Sequence, residues 1–137
     1  MELGFQWGYI DTTGTVLIFP MFDDAMSFSE GLAPVKIVNG WHFIDQTGGF
    51  VSGPFPNVTP FSEGFAAVKK KKSSFGTTVW EYIDSTGKAA FGKEFEDAGP
   101  FSDDLAMVKM NGKWGYINRK GVVVINPVYD QAFSFSP

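Results

Sequence analysis

Short runs of alternating apolar and polar residues, punctuated by glycine, proline and asparagine, fill nearly the whole chain. From Ala106 to Met110 the alternation runs up to Asn111-Gly112, and it resumes at Trp114. Asn-Gly between two apolar runs predicts a tight hairpin, because both residues tolerate the positive φ of a type I′ turn. Val35 to Ile37, Asn39-Gly40 and Trp41 repeat that arrangement. The stretch Ile117-Asn118-Arg119-Lys120-Gly121-Val122 fits a type I turn closed by a glycine in the left-handed region. The predicted unit is a three-stranded antiparallel meander, built from Ala-x-Val-Lys, Trp-x-Tyr-Ile and a short apolar run such as Val122 to Ile125. No segment predicts a long helix.

That unit recurs four times. The second strand reads Trp7-Gly8-Tyr9-Ile10-Asp11, Trp41-His42-Phe43-Ile44-Asp45, Trp80-Glu81-Tyr82-Ile83-Asp84 and Trp114-Gly115-Tyr116-Ile117-Asn118. A glycine follows three residues after each Asp or Asn, at Gly14, Gly48, Gly87 and Gly121. The tryptophans are 34, 39 and 34 residues apart. A second landmark starts 20 or 21 residues after each tryptophan, at Phe28-Ser29-Glu30-Gly31, Phe61-Ser62-Glu63-Gly64, Phe101-Ser102-Asp103-Asp104 and Phe135-Ser136. A weaker one lies between, at Pro20-Met21-Phe22-Asp23, Lys93-Glu94-Phe95-Glu96 and Pro127-Val128-Tyr129-Asp130; the second copy departs from it with Pro54-Phe55-Pro56. A fixed period of this length marks a tandem-repeat architecture.

Side-chain alternation says how the meanders pack. Trp114 and Tyr116 project to one face and Ile117 to the other, beside Gly115; Val122 and Val124 oppose Val123 and Ile125. Both faces are apolar, so each small sheet needs cover on both sides. Stacking supplies it, as in propeller blades or an open spiral β array, with the tryptophans as the expected spine. The acidic connectors Asp23-Asp24, Glu96-Asp97 and Asp130 are expected to start a turn or a single helical turn.

Lys113-Trp114-Gly115-Tyr116-Ile117-Asn118, with Gly121, Pro127-Val128-Tyr129-Asp130 and Phe135-Ser136, resembles the bacterial WG (KWG) repeat family over essentially the whole chain. His42 and Glu81 replace the name-giving glycine in the middle copies. The resemblance implies a β-rich tandem repeat and brings no catalytic residues with it. The expected organisation is one domain over residues 1–137, with repeat cores near 1–34, 35–67, 68–107 and 108–137.

Composition narrows the chemistry. No run approaches the ~18 apolar residues of a membrane span. A net charge of −4 argues against specific nucleic-acid binding, which relies on basic surfaces. Zero cysteines remove disulfides and thiolate chemistry. The chain opens Met1-Glu2-Leu3-Gly4-Phe5, so no signal peptide is read, and the compartment stays open. The only histidine, His42, has no accompanying nucleophile motif. Asp11, Asp45 and Asp84 are explained by turn chemistry rather than metal binding or acid–base work. No calcium-loop or phosphate-loop pattern occurs. The expectation is therefore no catalytic, metal or cofactor site.

One feature is not repetitive. Val68 and Trp80 are twelve residues apart, against six in the sister copies Val35–Trp41 and Val108–Trp114. The added segment holds Lys69, Lys70, Lys71, Lys72 and Phe75, and is expected to extend the first hairpin. Lysines there serve either to discourage edge pairing or to meet an anionic partner. The functional expectation is a non-enzymatic protein-interaction or scaffolding module with an unidentified protein or glycan partner. The alternative is a carbohydrate- or choline-binding array using the Trp/Tyr ladder, which is similar to glucan- and choline-binding repeats. Repeat one lacks an Ala-x-Val strand before Trp7, and the chain stops where another would begin. Either the chain continues in a longer array, or its ends self-associate, with Trp7 and Phe133 near them.

Overall fold

The computed structural model describes residues 2–3, 6–10, 13–14, 16–72 and 77–129. Phe75, Phe133, the Phe135-Ser136 landmark and the side chain of Trp7 lie outside the described residues. Every regular element described is a strand, and each pairing is antiparallel. No described helix is long and apolar enough to cross a membrane.

Four small sheets follow one another in chain order. The first holds β1 (Glu2–Leu3), β2 (Gln6–Ile10) and β3 (Val16–Phe22); the second holds β4 (Asp24–Ala25), β5 (Ala33–Ile37), β6 (Gly40–Ile44) and β7 (Phe50–Phe55). The third holds β8 (Asn57–Val58), β9 (Ala66–Lys71) and β10 (Thr78–Ile83); the fourth holds β11 (Asp97–Ala98), β12 (Leu105–Met110), β13 (Lys113–Asn118) and β14 (Val123–Tyr129). The protein is all-β and built of four stacked repeats.

The meander is as expected, with four differences. The described acidic connectors form two-residue edge strands rather than turns: Asp24 pairs with Lys36 and Asp97 with Lys109, as Asn57 does with Lys69, while Asp130 lies outside the described residues. Each connector side chain accepts the next backbone N–H, as Asp97 Oδ1 does from Ala98 at 2.8 Å. Repeat one does have a stub of the missing strand, because Glu2 pairs with Trp7 in the register of Lys36 with Trp41. In repeat three the third strand shrinks to bridges between Ile83 and Ala89 and between Trp80 and Phe95. Ala89-Ala90 and Gly92 are poor strand formers, which accounts for that loss.

The fourth difference is a turn. Asn111 (φ 50°) and Gly112 (φ 76°) adopt the positive φ values of a type I′ turn. In repeat two the pairing of Ile37 with Gly40 instead puts Val38-Asn39 in the loop, and neither is among the positive-φ residues. Val38 is left fully exposed there.

The third strand bulges opposite the position after each tryptophan. Trp114 pairs with Tyr129 and Tyr116 with Ile125, so two residues on β13 span four on β14. The prolines of the weak landmark fall in these bulges, where a missing N–H breaks no ladder bond.

Three cores lie between the four repeats, and each is made the same way. The Trp-x-aromatic face of one repeat meets the Ala-x-Val and Ile face of the next. Trp41 and Phe43 pack with Ala66, Val68 and Ile83. Trp80 and Tyr82 pack with Ala106, Val108 and Ile117. Tyr9 packs with Ala33, Val35 and Ile44. The Phe of the Phe-Ser landmark closes each seam edge-on: Tyr9–Phe28 and Phe43–Phe61 at 4.8 Å between ring centroids, Tyr82–Phe101 at 5.1 Å. In the second and third repeats the ring two residues beyond the tryptophan is buried more deeply than the tryptophan itself. Phe43 and Tyr82 are almost fully buried and Trp41 is 8% exposed, while Trp80 and Trp114 are half-buried.

Candidate partner-binding groove

The lysine hairpin projects as the spacing requires. Lys69 pairs with Trp80, and pairing then continues through Lys70–Val79 and Lys71–Thr78, with the Lys72 N–H donating to Thr77 O at 2.7 Å. The sister hairpin of repeat two ends one rung beyond its tryptophan, at Ile37–Gly40. The lysines do not act as one patch. Lys70 Nζ lies 2.9 Å from Glu81 Oε1, and Lys72 Nζ lies 3.2 Å from Glu94 Oε1. Lys71 is exposed, with no ion pair among the described residues.

Lys70 and Lys71 form one wall of a groove of about 490 Å³, whose other residues are Asn39, Pro54, Phe55 and Pro56. Asn39 comes from the β5–β6 turn, and the Pro-Phe-Pro segment from the end of β7. The groove therefore joins two of the places where the repeat pattern is broken. Phe55 is half-buried against the core beneath, with its ring 6.4 Å from Phe43. Phe55 pairs with Trp41; exposed Pro54 precedes it in this edge strand and exposed Pro56 lies just beyond the strand's end. Proline offers no N–H there, which disfavours strand addition and leaves side-chain contact as the way in.

The replaced glycines belong to the same neighbourhood. Gly8 and Gly115 are buried beneath the bulge of the third strand. His42, 8% exposed, needs room at that point, and Gly53 provides it: a Cβ on Gly53 would fall 2.8 Å from His42 Nδ1 and 2.7 Å from Trp41 O. His42 stacks on Phe50 at 4.9 Å and donates from Nε2 to Asn39 Oδ1 at 3.1 Å. Burial lowers its pKa, so the ring is neutral near pH 7. It props a groove residue and has no nucleophile beside it among these contacts. Glu81, at the same repeat position, pairs with Lys70 instead.

Asp11 lies outside the described residues; Asp45 and Asp84 stay in their own turns. Asp45 Oδ1 accepts from Thr47 N at 2.9 Å, Thr47 Oγ1 at 2.5 Å and Gly49 N at 3.0 Å. Asp84 does the same with Thr86 and Lys88, and Asn118 with the N–H groups of Lys120 and Val122. Gly14, Gly48, Gly87 and Gly121 have φ between 78° and 88°, which closes each turn. Gly87 and Gly121 also touch the preceding repeat, since an added Cβ would meet Ser52 Cβ at 2.9 Å and the Phe91 ring at 2.6 Å. Among the described residues no group of His, Cys, Asp or Glu is placed to hold a metal ion.

A further set of repeat residues escaped the sequence reading. Ser29 Oγ donates to Phe61 O and Ser62 Oγ to Phe101 O, both at 2.7 Å. Glu30 Oε1 accepts the N–H of Gly64 at 2.8 Å. The recurrence of Phe-Ser-Glu was the available signal: an exposed polar pair repeated at a fixed period points to bonds from one repeat to the next. Arg119, the only arginine, crosses this ladder, donating from Nη2 to Glu63 O at 3.2 Å and lying 6.0 Å from the Phe65 ring centre.

No curated protein and no solved structure matches the chain at significance. The sequence model of the family described as "WG containing repeat" matches residues 7–41, 43–72, 82–114 and 114–136. Four matches covering most of the chain, on four sheets with one shared packing rule, make this protein a member of the WG repeat family.

Proposed function

We propose that the protein is a non-enzymatic interaction module, a single domain over residues 1–137, that holds an acidic protein segment in the groove between its second and third repeats. The observation that carries this reading is the convergence of two departures from the repeat. Pro54-Phe55-Pro56 and the lysine insertion are separate departures from the repeat, and both line one groove. Stacking alone needs neither, since the other seams form without them. Flat proline faces and a half-buried ring suit an apolar side chain of the partner. Lys71, with no ion pair among the described residues, suits a carboxylate next to it, and Asn39 adds a polar edge. Membership of a repeat family without assigned catalysis agrees with a binding role, which is argued here from the site and not from the fold.

The carbohydrate- or choline-platform alternative needs exposed rings. Phe43, Tyr82 and Trp41 are consumed by the cores instead. The two readings separate in one paired screen: a displayed peptide library and a glycan array, each probed with the wild type and with Lys71→Ser. The proposal predicts enrichment of peptides with an acidic residue beside an apolar one, lost in the variant. Glycan binding that survives the substitution, with no peptide enrichment, overturns it.

A further inference from the structure

The packing rule that builds the three cores has two matching faces at opposite ends of the stack, and one described residue of each is about half exposed. Ile44, Ile83 and Ile117 hold the same repeat position, and each is sealed by the preceding repeat to 2% exposure or less. Ile10 holds that position in the first repeat and is 46% exposed. On the other face, Val51 and Ala90 occupy the strand position one residue past the partner of the Ile, and each packs into the core shared with the following repeat. Val124 is their counterpart in the fourth repeat and is 49% exposed. The two open faces are the two halves of a contact that the molecule already makes three times.

We propose that a second copy of this chain completes that contact, head to tail, with the Val124 face of one fourth repeat seated on the Ile10 face of another first repeat. The occupant follows from the internal seams, which always join an Ile face to the opposite face of a neighbouring repeat and never join two like faces. The association is heterologous, so it extends into open chains unless the rotation per copy closes a ring. It is independent of the groove between repeats two and three, which stays accessible in such a chain.

Two end-blocking variants test it, Ile10→Glu and Val124→Glu. Both side chains are about half exposed, so a charge at either is compatible with the fold; unchanged circular dichroism and unfolding midpoints check this, with Ile10→Lys and Val124→Lys as replacements if either fails. Sedimentation velocity of the wild type across a concentration series up to about 1 mM, a range that covers weak association, is expected to show mass rising beyond the dimer or to a closed ring. Each variant alone is expected to remain monomeric. Their equimolar mixture is expected to stop at the dimer, because one supplies only an intact Ile10 face and the other only an intact Val124 face. A wild type that stays monomeric, a variant that still associates alone, or a mixture that stays monomeric overturns the proposal.

Discussion

Glu63 Oε1 accepts the backbone N–H of Asp104 at 2.9 Å across 41 residues of sequence. It repeats, one repeat later, what Glu30 does to Gly64. The acceptor binds a turn whose two central residues both have positive φ: Glu30-Gly31, Glu63-Gly64 and Asp103-Asp104. The first two turns place glycine second. The third has Asp104 at φ 67°, a conformation unfavourable to a side chain. Asp104→Gly is therefore expected to stabilise the protein by about 0.5–1 kcal/mol, raising Tm by roughly 2–4 °C. Calorimetry checks it; a lowered Tm would mean that the Arg119 contact with Asp104, 3.9 Å long, outweighs the backbone term.

The seams rank the aromatic residues. Tyr82 is nearly fully buried, and its hydroxyl donates to Gly99 O at 2.6 Å. Tyr82→Ala is expected to cost about 3–5 kcal/mol, and Tyr82→Phe about 1–2 kcal/mol for the carbonyl left unpaired. Trp41→Ala should fall in the upper range as well, whereas half-buried Trp114 should cost no more than about 2 kcal/mol. Denaturant midpoints settle the order. A Trp114→Ala loss exceeding that of Tyr82→Ala contradicts the packing described.

Ser52 stands where the first and fourth repeats carry Ile18 and Ile125, opposite the recurring aromatic of each second strand. Its Oγ is buried and has no hydrogen-bond partner among the described residues. Removing it by Ser52→Ala is expected to gain up to about 1 kcal/mol, since an unsatisfied hydroxyl loses hydration without compensation. A loss of stability, measured by urea unfolding, would show that the hydroxyl has a partner.

Asp45 and Asp84 have carboxyls held below the usual carboxylate range, chiefly by the hydroxyls of Thr47 and Thr86 and then by backbone N–H groups. A carboxyl with a folded pKa below its unfolded one contributes stability that is complete above about pH 4 and fades as pH falls through the folded value. Asn118 shows that an amide makes the same turn without a charge. Asp45→Asn with Asp84→Asn should therefore keep the fold near neutral pH and flatten the loss of stability as pH falls below about 4. His42 is unchanged in that pair; its own lowered pKa acts earlier, as pH falls below about 6.5. An acid transition as steep as the wild type's would place the responsible carboxylates elsewhere.

Much of this was legible in the sequence. The period, the meander, the Asp-x-x-Gly turns and the two-sided apolar strands each follow from local rules, because each depends on neighbours a few residues away. What escaped depends on the next repeat. The edge strands at Asp24–Ala25, Asn57–Val58 and Asp97–Ala98 are too short to show a period. The Asn39-Gly40 turn is displaced by one residue because Gly40 is needed in the strand, where a Cβ would meet Phe55 O at 2.8 Å. The prominence of the tryptophans hid the deeper burial of Phe43 and Tyr82, since size and recurrence do not show which ring a neighbour will cover. The lysine insertion and Pro54-Phe55-Pro56 stood out separately, and the pairing of Asn57, the residue after Pro56, with Lys69 brings them to one groove.

The functional account rests most heavily on Lys71. Because it is exposed and has no ion pair among the described residues, Lys71→Ser should change stability by no more than about 0.5 kcal/mol. Titration calorimetry with an acidic peptide selected by the wild type, repeated at several salt concentrations, is the direct measurement. The account predicts that affinity falls as salt rises, and that Lys71→Ser weakens binding and flattens the salt dependence. The Lys70→Ser, Lys71→Ser double variant should weaken it further. Binding that is equally tight in wild type and double variant, with the same response to salt, would contradict the assignment of the groove.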